Sequence, residues 1–212
     1  MLGVLALAWI GFLTAGIACA QVLHAPGSPT LGVYMDFEKS PGGSSLAAMK
    51  REVDSLLKPA GIRVNWRMIQ DNRGNETYSR LVVLKFTGAC HADGRVEGVP
   101  GNEPLETQVG NSMVVNGRVL PYAEVECDAV RRALSFLSPR ASKEQKQEAL
   151  GIAMARVVAH ELYHVLAHTT SHANRGLARA SQPLRDLVSK KDLAFQQKDA
   201  EAIRKGFDTP TN

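Results

Sequence analysis

The sequence has no cluster of basic residues. Its formal net charge of +4 is spread along 212 residues, so it lacks the electrostatic footprint of a nucleic-acid partner. It has no internal repeat, which excludes solenoids and propellers. Cysteine is scarce, at three residues. Charge of either sign is missing before Gln21, where the chain reads "MLGVLALAWIGFLTAGIACAQ". Ala18-Cys19-Ala20 fits a small-residue cleavage site, so residues 1–20 read as a secretory signal peptide and 21–212 as a single domain. The apolar run is also long enough to stay as a membrane anchor, and Cys19 offers a lipid-attachment alternative. The expected location is secreted or periplasmic, with membrane contact if that segment is retained or lipidated. About ten residues separate Gln21 from the first expected strand, which leaves no room for a long inhibitory propeptide.

What remains is ordinary for one globular core: 44% hydrophobic and 22% charged residues. With Cys19 removed, Cys90 and Cys127 remain, and in an exported chain they are expected to pair. Two buried free thiols are the alternative.

Residues 31–38 (LGVYMDFE) read as a strand. "SPGG" breaks the chain, Ser44 or Ser45 can cap a helix, and Leu46, Met49, Val53, Leu56 and Leu57 give it one apolar face. Pro59 and Gly61 end it. Residues 62–69 alternate as a half-buried strand, and 80–87 (RLVVLKFT) are apolar enough to be central. Residues 88–110 read as a long loop. Asn116-Gly117 signals a hairpin, and 121–127 continue as a strand. A short helix follows at 128–137. Ser142 and Gln145 form a capping box for a long helix, expected to run to about His168 with Leu150, Met154, Val157, Val158 and Val165 buried. Residues 184–188 and 193–207 look helical. The fold class is α+β, with a mixed sheet, a helical crossover making the first two strands parallel, and a helical C-terminal segment.

Histidine is also scarce, six in all, yet four fall between 160 and 172. His160-Glu161-Leu162-Tyr163-His164 is an HExxH pentapeptide. On a helix, i and i+4 share one face, so two imidazoles address one point. Neutral imidazole suits zinc at about 2.0–2.1 Å. Glu161 is rotated by about 100°, so it reaches the flank of the metal. There it can act as general base toward metal-bound water.

The pentapeptide on its capped helix resembles the zincin metallopeptidases. That resemblance implies a long site helix beneath a mixed sheet, a backing helix between the first two strands, His160 and His164 as zinc ligands, Glu161 as catalytic base, and peptide or protein substrates. The longer HExxHxxGxxH motif of the metzincin branch is incomplete, with Ala167 and Thr170 at its last two marked positions and no later methionine. The third metal ligand is therefore open. His168 continues the series, but on a continuing helix its backbone lies about 12 Å along the axis from His160. Thr169, Thr170 and Ser171 disfavour further helix, so the chain can turn there and bring His172 back. His172 is favoured, with Asp186, Glu201 and His168 as competitors.

Tyr163 is expected in the core, with substrate orientation as the other role. Residues 122–126 are a candidate edge strand for an extended peptide. Asp128 is a candidate partner for a ligand's second nitrogen or a helix cap. His91 reads as a loop residue and His24 as peripheral. The expected function is an exported zinc-dependent metallopeptidase. The alternatives are a zinc-binding envelope protein without turnover, or a structural envelope protein without metal.

Overall fold

The computed structural model describes residues 30–93, 108–189 and 193–209. The expected leader with Cys19, His24 and most of the 88–110 loop lie outside them. Among the described residues, no helix is long and apolar enough to cross a membrane.

Five strands form one sheet in the order β2-β1-β3-β5-β4. Strand β1 (Thr30–Phe37) pairs in parallel with β2 (Arg63–Met68) and with β3 (Arg80–Thr87). The pair β1/β2 needs a crossover, and helix α1 (Gly43–Leu57) supplies it. Strand β3 pairs in parallel with β5 (Arg118–Glu126), and β4 (Gly110–Val115) runs antiparallel to β5. Asn116 (φ 50°) and Gly117 (φ 74°) join β4 to β5 with two left-handed residues, as a tight two-residue hairpin turn demands. The fold is thus α+β with a mixed sheet, and β3 is its central strand, as its composition predicts. The edge differs from expectation. Residues 122–126 are interior, because the hairpin folds β4 outward beyond β5. Among the described residues, the edge strand on that side is β4.

Helix α1 buries Met49, Val53, Leu56 and Leu57. Neither serine caps it: Gly42 is the cap residue, and no side chain supplies a capping bond. Ser45 is instead buried, its hydroxyl bonded to Gln147 Oε1 across the helix interface. That partner is on α3 (Lys143–Leu166), which carries both halves of the expected capping box. The two helices approach closely at Gly151, where a Cβ would stand 2.4 Å from the Ser45 carbonyl oxygen. Leu150, Met154, Val157, Val158 and Leu162 of α3 are all buried.

Helix α3 stops at Leu166, two residues short of expectation. Ala167 is its C-cap, His168 turns left-handed at φ 50°, and the Thr169 N–H closes on the His164 carbonyl at 3.1 Å. Helix α5 (Gln197–Asp208) packs against this end, with a Gly206 Cβ position only 2.1 Å from the Leu166 carbonyl oxygen. Its start is later than the periodicity suggests, because Gln196 and Asp199 cap each other there. Phe195, read as helical, lies ahead of the cap and stacks near Tyr163. Helix α4 is short (Leu184–Leu187), and α2 (Cys127–Arg131) gives way to a 3-10 turn over Arg132–Phe136.

Cys90 and Cys127 are bridged, with Cα atoms 5.0 Å apart. Both are fully buried. The bridge ties the end of β3 to the end of β5, as expected.

Candidate metal centre

The rings of His160 and His164 lie one turn apart on α3, with their Nε2 atoms 3.1 Å apart. His172, on the loop after the helix, brings its own Nε2 to 3.1 Å from that of His164. The donor atoms of these three residues lie within 4.8 Å of one another. Three nitrogens bound tetrahedrally at about 2.0–2.1 Å would sit about 3.3 Å apart, and His164 lies near that distance from each of the other two rings.

The competitors fall elsewhere. His168 is exposed and lines a separate hollow beside Val165 and the β4–β5 turn. Asp186 lies 3.7 Å from Arg179. Glu201 is exposed and accepts a bond from Gln197.

The second ring nitrogens decide the tautomers. His160 Nδ1 is 2.8 Å from the Leu177 carbonyl oxygen, and His164 Nδ1 is 2.7 Å from that of Thr169. A carbonyl oxygen can only accept, so each Nδ1 carries the hydrogen. Each Nε2 then presents a lone pair to the other, with no hydrogen between them. Protonation would relieve this, but burial holds both rings below the ordinary histidine pKa, an effect opposed in each by the bond to the carbonyl. Two neutral imidazoles with facing lone pairs at 3.1 Å are a donor set fitted to a cation. The carbonyls orient the rings as partners of metal-ligating histidines do.

The loop that supplies the third ring is held from several sides. Gly176 takes φ +73°, where a Cβ would meet the Ala194 carbonyl oxygen at 2.7 Å. That turn lets the Leu177 N–H donate to Ala194 while its carbonyl faces His160. Gln182 Nε2 donates to the carbonyls of Gly176 and Leu177, at 2.9 and 3.2 Å. Arg156, one turn before His160, is buried and donates from Nη1 to the carbonyls of Asp186, Leu187 and Ser189.

Glu161 lies beside the cluster in a cleft of about 430 Å³ that also takes in Asn111, Ser112 and His172. Its carboxylate accepts from the Ser112 hydroxyl at 2.6 Å. Burial pushes its pKa up, while the bonds from the Ser112 hydroxyl and N–H oppose that shift. Gly110 leaves it room: a Cβ there would stand 2.7 Å from Glu161 Oε1.

Asp128 touches no site histidine and does not cap α2. Its carboxylate takes the Ala89 N–H and the Arg131 guanidinium beside the disulfide. Tyr163 is a core residue packed near Phe195. His91 is half-buried on its loop and apart from the cluster. Ser112, Gly110, Gln182, Arg156 and the two carbonyls were not foreseen. Ser112 and Gly110 reach Glu161 from about fifty positions away in sequence, and no motif announces any of these residues.

No family model matches the sequence, and neither does any curated protein. Among solved structures, an archaemetzincin from Methanopyrus kandleri resembles this chain with a TM-score of 0.44 and 16% identity, over 87% of this chain and 98% of that one. Likeness at that level decides nothing about the chemistry of this site.

Proposed function

We propose that the protein is an exported zinc-dependent peptidase, with His160, His164 and His172 as the metal ligands and Glu161 as the catalytic base. The observation that carries this reading is the meeting of three imidazole nitrogens within 4.8 Å of one another, beside a carboxylate in an open cleft. An unneeded metal site would not require the carboxylate, and a carboxylate alone would not require facing lone pairs. Zinc held there would supply Lewis acidity toward a carbonyl oxygen and a water acidified toward neutrality. Glu161 takes the proton from the attacking water and returns it to the leaving amine. The carbonyls of Leu177 and Thr169 keep both helix-borne rings in the donor tautomer throughout.

Substrate would lie along β4. Among the described residues its outer edge faces no strand of the sheet, and Met113, Val114 and Val115 are exposed apolar residues. An extended peptide can add to such an edge through main-chain bonds. Export rests on the apolar leader and on the buried disulfide, a bond that persists in oxidising compartments.

The test is Glu161→Gln. Zinc-loaded wild type should cleave unstructured peptides. The variant should hold zinc equally and lose activity by about 10²–10⁴-fold. Zinc binding without cleavage in the wild type would favour the envelope zinc-binding alternative. Zinc-free protein after purification and zinc challenge would sink both.

A further inference from the structure

Strand parity places Gly110, Ser112 and Val114 on one face of β4. The pairing with β5 shifts register between Ser112 and Val114. The pairing is regular from Gly110 to Ser112, which stands opposite Ala123. Ser112 Oγ then sits 2.6 Å from Glu161 Oε2 and 3.2 Å from the Glu161 main-chain carbonyl oxygen. The hydroxyl has one hydrogen, and the shorter, charge-assisted bond to the carboxylate claims it. On the other side, Gly110 faces Oε1, where a Cβ would stand 2.7 Å from both Oε1 and Val157 Cγ1. Glycine is thus the residue that fits between strand and base.

We propose that β4 positions the base: Ser112 holds Oε2 of Glu161 by its hydroxyl, Gly110 leaves space at Oε1, and Oε1 is thereby the oxygen that handles the proton. This rests on the peptidase reading above and assigns to Ser112 a positioning role, acting through Glu161. It also makes the strand that receives substrate the strand that aims the carboxylate. A peptide seated against β4 would therefore meet a base already oriented toward its scissile bond.

The experiment has two arms. In steady-state kinetics of zinc-loaded protein, Ser112→Ala should lower kcat by about 10–100-fold, the cost expected of a misplaced catalytic group. KM and zinc affinity should stay within about twofold, because positioning acts on the transition state. Ser112→Thr keeps a hydroxyl and should restore most of kcat. Gly110→Ala should cause a similar kcat loss from the opposite side with Ser112 intact. The second arm needs no metal. In carbon-13 glutamate-labelled metal-free protein, the carboxyl resonance of Glu161, assigned by its absence in Glu161→Gln, should move in Ser112→Ala and stay near its place in Ser112→Thr. An unmoved resonance together with an unchanged kcat would overturn the proposal. A wild type that binds zinc and never cleaves would count against the peptidase reading, while the resonance arm would still report whether Ser112 holds the carboxylate.

Discussion

The two halves of the candidate site are built in different ways. His160, Glu161 and His164 come from one turn of α3, where helical geometry alone sets their relation. His172 and the carbonyls of Thr169 and Leu177 come from the segment that follows, where no regular repeat sets it. That segment holds its shape through one left-handed histidine, one left-handed glycine and bonds that reach as far as the one from Arg156 to Ser189. A helix turn is a reliable way to fix two ligands and a base. A loop must be tied down piece by piece, and it is the half in which single changes should loosen the site without unfolding the protein.

The largest expected contrast is in metal retention. His160→Ala and His164→Ala should each reduce bound zinc from about one ion per chain to almost none after dialysis, since the proposed set of three ligands loses a member from its rigid half. His172→Ala should weaken binding too, but with measurable occupancy in excess zinc, because the two helix-borne rings stay aligned. Equal and total loss in all three variants would erase the distinction drawn here.

A smaller effect is expected from the glycine that shapes the loop. Gly176→Ala forces a Cβ into the left-handed region and toward the Ala194 carbonyl, at a cost of about 1–3 kcal/mol. Zinc titration and thermal melts, compared in one sample, should show weaker binding with a modest drop in stability. An unchanged zinc affinity would mean that the carbonyl of Leu177 does not depend on that turn.

The smallest effect is in pH. His160 and His164 are held below the ordinary histidine pKa by burial, so below about pH 6.5 the unfolded chain binds protons that the folded metal-free protein resists. Stability should therefore be complete above about pH 6.5 and decline as pH falls below it. Melts of metal-free His160→Ala and His164→Ala should show a flatter decline over that range. A decline as steep as in the wild type would assign the pH response to other groups.

The same division explains what the sequence disclosed. The pentapeptide, the Ser142–Gln145 cap and the Asn116–Gly117 turn are short-range signals, and each appears where its chemistry requires. Cys90 and Cys127 were paired by counting. His172 is favoured because the threonines after His168 argue for a turn; the helix ends earlier, at Leu166, where His168 turns left-handed and the Thr169 N–H closes on the His164 carbonyl. The edge position of β4 depends on which way a hairpin folds across a sheet. Ser45 looked like a cap and became a link between helices, because a serine near a helix start has the same local pattern in either role. Asp128 looked available to a ligand and was taken by Arg131 and Ala89.

The most direct test of the centre is X-ray absorption at the zinc edge on zinc-replete protein. The geometry predicts three imidazole nitrogens at about 2.0–2.1 Å with one water oxygen at a similar distance, falling to two imidazoles in His172→Ala. A spectrum without imidazole scattering, or one unchanged by removing His172, would contradict it.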